Sequence, residues 1–155
     1  MLCFWDAIRL YANGKGKLAG KGAPSHFLTI LTSQNQYQLR KVFEQFAKLS
    51  GATIEKAIEK EFGGDVRKSY LTIVKASTDK QKFFAEQLYY SMKGLGTNDN
   101  DLIRVLVNRS EVDLQLIKEI FEVMYDKTLA DMIKGDTSGQ YRDALLALVA
   151  GNRQQ

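Results

Sequence analysis

Apolar residues recur along nearly the whole chain at intervals of three and four, the spacing that gathers side chains onto one face of an α-helix. Leu102, Val105 and Leu106, then Leu114, Ile117, Phe121 and Met124, form two such stripes. Shifted by a constant 75 residues, the pattern falls on itself: Leu28 on Ile103, Ile30 on Val105, Leu31 on Leu106, Leu39 on Leu114, Val42 on Ile117 and Phe46 on Phe121. The register continues without a gap through Thr53 on Thr128, Ile54 on Leu129, Ile58 on Ile133, Glu61 on Asp136, Gly64 on Gly139 and Ile73 on Leu148. Self-similarity at a fixed period marks the duplication of one structural unit. Stop signals divide each copy. Gly94-Leu95-Gly96 ends a helix begun near Lys80, Ser110 is placed to cap the next one, and Ser138 precedes a last helix running to Gly151. The pattern predicts an all-α fold with helices over 6–12, 24–33, 36–48, 52–60, 64–76, 80–93, 98–108, 111–125, 127–135 and 139–150. These form two five-helix units, 6–77 and 80–152.

Composition agrees with that picture. The chain has 155 residues, 45% of them hydrophobic and 26% charged, enough apolar material for a core that needs no covalent staple. The lone Cys3 excludes an internal disulfide framework and fits a reducing, cytoplasmic compartment. Met1-Leu2-Cys3-Phe4-Trp5 is apolar but is interrupted at Asp6, which is too short and too little basic for a signal peptide. No apolar run approaches the roughly 20 residues of a transmembrane helix, so any membrane role is expected to be peripheral.

The net charge is +4, with Arg9, Lys15, Lys17 and Lys21 facing only Asp6 before residue 27. Acids and bases alternate elsewhere, a balance short of the basic excess that nucleic-acid binding needs. Phosphate-loop chemistry is excluded by motif: the early Gly-Lys stretch lacks the Gly-x-x-x-x-Gly-Lys-[Ser/Thr] spacing and follows no strand. His26 has no second histidine or nearby cysteine, which leaves a catalytic or zinc role unsupported. Phe83, Phe84, Tyr89 and Tyr90, at helical spacing, read as core rather than as a base-stacking surface. No catalytic constellation emerges, and the chain does not read as an enzyme.

One stretch carries chemistry. In Met92-Lys93-Gly94-Leu95-Gly96-Thr97, two glycines two apart admit positive φ, so the chain can turn carbonyl oxygens toward one point, as a hard cation such as Ca²⁺ requires. Carbonyls alone hold Ca²⁺ poorly, and Asp136, within Gly135-Asp136-Thr137-Ser138-Gly139, is the candidate carboxylate. On these residues alone, helix capping is the simpler account of both segments.

Taken together, the six-residue loop, a carboxylate 39 residues after Thr97, Asn108-Arg109-Ser110, Asp136-Thr137-Ser138-Gly139 and Ala144-Leu145-Leu146-Ala147-Leu148 resemble the annexin family and its type II calcium site. The resemblance covers nearly all of the chain after Trp5 and corresponds to the C-terminal half of a four-repeat core. It implies that Met92, Gly94 and Gly96 offer backbone carbonyls and that Asp136 binds Ca²⁺ through both oxygens, with lipid phosphate completing the shell. Thr97 and Asp99 match an accessory site, Lys93 and Leu95 match headgroup contacts, and Arg109 matches a tie from the helix end to the loop carbonyls. The first copy departs from the pattern. Its loop is rebuilt as Gly14-Lys15-Gly16-Lys17-Leu18-Ala19-Gly20-Lys21-Gly22, Pro24 and His26 replace an acidic helix start, and Gln34 stands where Arg109 does. Calcium binding by Gly20, Gly22 and Glu61 is therefore left open.

The implied function is calcium-dependent binding to anionic phospholipid membranes, peripheral and cytoplasmic, without nucleic acid. The alternative is a calcium-independent helical interaction module, a truncated annexin product binding another protein chain; on either reading, self-association or pairing with other annexin chains is a partner expectation.

Overall fold

The computed structural model describes residues 2–12 and 26–151. Among them are ten α-helices and no strand: α1 (Leu2–Ala12), α2 (His26–Ser33), α3 (Gln36–Ser50), α4 (Ile54–Glu61), α5 (Gly64–Thr78), α6 (Lys80–Met92), α7 (Asp99–Arg109), α8 (Leu114–Tyr125), α9 (Leu129–Asp136) and α10 (Gly139–Ala150). Two compact units, Met1–Asp79 and Lys80–Gln155, hold five helices each.

In the first unit α3 packs against α1, α4 and α5; in the second, α6 packs against α7, α8 and α9, and α10 against α7 and α9. The hydrophobic stripes become the two cores. Phe46 and Phe121, Ile58 and Ile133, Ile54 and Leu129, and Val42 and Ile117 are all essentially excluded from water in their own units. Burying a side chain of this size contributes about 1.5–3 kcal/mol each. Met124 is partly buried against the second core.

The helix ends follow local chemistry. Asn35 and Gln38 form a reciprocal capping box at the start of α3, with the Asn35 side chain accepting from the Gln38 N–H at 2.9 Å. Thr53 and Thr128 cap α4 and α9, their hydroxyls accepting from the Lys56 and Asp131 N–H groups. Where α3 stops, Gly51 adopts φ 71°, and the matching position after α8 is Asp126 at φ 51°. Both are left-handed, a conformation glycine enters freely and aspartate tolerates.

Four expectations need correction. α1 begins at Leu2, not residue 6, because nothing in the apolar lead breaks a helix; Asp6, far from ending it, is buried and accepts a hydrogen bond from Gln34 Nε2 at 3.3 Å. α8 begins at Leu114, not 111. Ser110 does not cap it, since its hydroxyl turns back to the Val107 carbonyl while Val112 and Asp113 N–H groups bond to the Arg109 carbonyl, continuing α7 as a tight turn. Ser138 stands at the α10 N-cap without a side-chain bond. Tyr90, finally, is not core but 61% exposed, and only Phe84 and Tyr89 of the four aromatics pack against the second core.

Candidate functional site

The last turn of α6 buries Ser91 and Met92, and the chain then leaves the helix through Lys93-Gly94-Leu95-Gly96. Gly94 and Gly96 sit at φ 119° and 85°. An added Cβ would meet nothing within 4 Å at either, so the glycines are required by backbone angle and not by space. The loop is closed by the Asn98 N–H, which donates to the Ser91 carbonyl at 2.7 Å. Asn98 also caps α7, accepting from the Asp101 N–H and donating its amide to the Asp101 carboxylate.

Asp136 is the last residue of α9, with only Thr137 and Ser138 between it and the start of α10. Thr137 ends α9 by donating both its N–H and its hydroxyl to the Ile133 carbonyl, and Gly139 opens α10 at φ 62°. This abrupt corner brings Asp136 to the α6–α7 loop. The Thr97 hydroxyl donates to Asp136 Oδ2 at 2.5 Å and lies 3.3 Å from the Asp136 carbonyl, joining two segments 39 residues apart. Around the pair, Asp99 opens α7 and the Tyr141 hydroxyl, on α10, is buried without a hydrogen-bond partner of normal geometry. Burial, with the Asp99 and Asp136 carboxylates nearby, pushes the Tyr141 phenol up to about 12.

Lys93 is exposed and Leu95 fully so. The Lys93 ammonium lies over the Tyr89 and Tyr90 rings, at 5.3 and 5.7 Å from their centroids. Tyr89 stacks face to face on Tyr125 at 3.8 Å, and burial, together with the neighbouring Glu86 carboxylate and the Tyr90 and Tyr89 hydroxyls, pushes the Tyr125 phenol up to about 12. Sequence reading missed Tyr90 because spacing alone cannot tell a half-buried aromatic from its exposed neighbour.

Arg109 is placed elsewhere than the loop carbonyls. Its Nε donates to Asp113 Oδ1 at 2.7 Å, its guanidinium lies 4.8 Å from the Phe84 ring centroid, and Gln81 Nε2 donates to Asp113 Oδ2 at 3.1 Å. The side chain reaches the base of α8 because the turn after α7 presents Asp113 one helical turn away. This charge-assisted bond holds the Asp113 carboxyl below its ordinary range.

In the first unit Glu61 is the last residue of α4, followed by Phe62 and then Gly64 at φ 55°. Phe62 packs with Phe27 and Tyr70. Gly20 and Gly22, with Lys15, Lys17, Lys21 and Pro24, lie outside the described residues, as does the side chain of His26. Among the described residues no three His, Cys, Asp or Glu side chains come together, so a cation held at Asp136 would draw its other ligands from backbone, hydroxyl, water or a bound partner.

A family model described as Annexin matches residues 17–73 and 83–148. Human annexin A8 is 46% identical over 151 residues, which are 97% of this chain and 46% of that protein. The structure of annexin III has a TM-score of 0.89 at 33% identity, covering 97% of this chain and 46% of that one. A calcium-bound annexin (Sm)1 has a TM-score of 0.83 at 36% identity, over 96% of this chain and 39% of that one. The chain thus spans about half the length of the curated relatives it matches.

Proposed function

The chain belongs to the annexin family, and from that premise we propose that it binds anionic phospholipid surfaces in a calcium-dependent way through its second unit. The family consists of calcium-dependent phospholipid binders that act peripherally and are generally non-enzymatic. Among the described residues no helix is long and apolar enough to cross a membrane.

The observation that carries this reading is the Thr97–Asp136 hydrogen bond, which holds the one carboxylate of the pattern against the glycine loop. The donors suit a hard cation: a carboxylate, and carbonyls of Met92, Gly94 and Gly96 in a loop bent by two positive-φ glycines. Bound calcium would supply positive charge that neither protein oxygens nor lipid phosphate saturate alone, so its affinity and that of the lipid rise together. Asp136 provides the negative charge, Thr97 fixes its orientation, and Asp99, which like Asp136 neighbours the Tyr141 hydroxyl, adds a further acid. Lys93 and Leu95 face the headgroups. Gly20, Gly22 and Glu61 form at most a secondary site.

Pelleting with phosphatidylserine vesicles in calcium and in chelator is the test. Pelleting in calcium alone is expected; equal pelleting in both would overturn the proposal and favour the calcium-independent interaction module.

A further inference from the structure

The second unit displays an aromatic and a cation that the calcium chemistry does not use. Tyr90 lies one helical turn before the loop and is 61% exposed, although its neighbours Leu88 and Met92 are buried. An exposed tyrosine alone is ordinary surface. What distinguishes this one is its surroundings. Tyr90 meets Tyr89 edge to face at 5.5 Å, and Tyr89 is stacked on Tyr125, which packs on the buried Phe121 at 5.0 Å. The ring pair is therefore anchored to the core. The Lys93 ammonium lies over both rings, drawn by their π faces. Exposed Tyr90 and Lys93 thus adjoin at the end of α6, and the fully exposed Leu95 follows two residues later in the loop.

Together these residues have the chemistry of a membrane interface. Tyrosine places an apolar ring and a polar hydroxyl side by side, which suits the headgroup level of a bilayer, and a lysine next to it complements lipid phosphate. Leu95, fully exposed, would gain from shallow burial beneath the phosphates. We propose that Tyr90 is a lipid contact of this chain, seated at headgroup level beside the calcium loop, and that Tyr89 and Tyr90 hold the Lys93 ammonium there against lipid phosphate. The proposal rests on the membrane-binding reading above and adds to it a contact made by side chains rather than by calcium.

The test uses the full chain with Trp5→Phe and Tyr90→Trp, so that a single tryptophan reports from position 90. Vesicles of phosphatidylserine and phosphatidylcholine are used with and without calcium, and in parallel with phosphatidylcholine brominated near the top of its acyl chains. Tryptophan emission should shift to the blue and be quenched by the brominated lipid in calcium, and return in chelator. A second arm compares Tyr90→Ser with Tyr90→Phe at unchanged helical circular dichroism. The serine variant should need roughly fivefold more lipid for half-maximal binding, and the phenylalanine variant should stay near the parent. Calcium-dependent pelleting with unaltered tryptophan emission, or parental binding by the serine variant, would overturn this proposal while leaving the calcium site standing. Failure of the parent to pellet in calcium would remove both.

Discussion

Asp6 and Gln81 occupy the same place on the first helix of their units, and the offset that relates them also pairs Gln34 with Arg109 and Gln38 with Asp113. The same three positions are wired in opposite senses. In the first unit the acid is on α1, where Gln34 donates to it, and Gln38 is spent on the Asn35 capping box. In the second unit the acid has moved to the start of α8, where Arg109 and Gln81 both donate to Asp113. Many of the hydrophobic positions, by contrast, match, as Leu39 does with Leu114, Val42 with Ile117, Phe46 with Phe121 and Ile58 with Ile133, although Ala7 and Phe43 fall on Lys82 and Lys118. Burial is tolerant of which apolar residue fills a place, whereas a polar tie depends on which partner carries the charge, so duplicated units keep the former and rewire the latter.

The comparison is sharpest in the cores. Phe46→Ala and Phe121→Ala should each lower unfolding free energy by about 3–5 kcal/mol, since both rings are fully buried at equivalent places. Chemical denaturation followed by circular dichroism measures this, and a clear inequality would show that the two cores are not equivalent.

Next in size is the contrast between the two carboxylates. Asp136→Ala should weaken calcium-dependent vesicle binding about a hundredfold, or roughly 3 kcal/mol, while Glu61→Ala changes it severalfold at most. Equal losses would place comparable calcium sites in both units.

The rewired ties come third. Arg109→Gln strands the half-buried Asp113 carboxylate and should cost about 2 kcal/mol, more than Gln34→Ala in the first unit. The same pair makes an acid-sensitive contribution. Because the Asp113 carboxyl is held lower in the folded chain than in the unfolded one, its stabilisation is complete above an ordinary carboxylate pKa of about 4 and is lost as pH falls through the lower folded value. Melting temperatures taken downward from pH 5 should fall less steeply in Asp113→Asn than in the parent.

The smallest effect tests the left-handed positions. Gly51→Ala should destabilise by about 1 kcal/mol, and Asp126→Gly should be neutral or stabilising by several tenths, because glycine enters positive φ without steric cost. A destabilised Asp126→Gly would show that the aspartate side chain contributes more than its backbone strain removes.

The duplicated period, the helical stripes and the glycine punctuation were all legible in the residues, because each depends on local geometry: three to four residues per turn, and glycine where φ turns positive. The start of α8 went astray because a serine hydroxyl can either accept from the N–H groups ahead of it, as a cap, or donate to a carbonyl behind it. Ser110 bonds back into α7 instead of forward into α8. The partners of the candidate site were only partly legible. Spacing suggested Asp136 for the glycine loop through family resemblance, yet only the folded corner between α9 and α10 determines that Thr97 reaches its carboxylate. The destination of Arg109 and the exposure of Tyr90 were decided by tertiary packing alone. Side chains at identical helical spacing are sorted into core and surface by what packs above them, and a guanidinium goes to whichever acid the turn presents, neither of which the local pattern encodes.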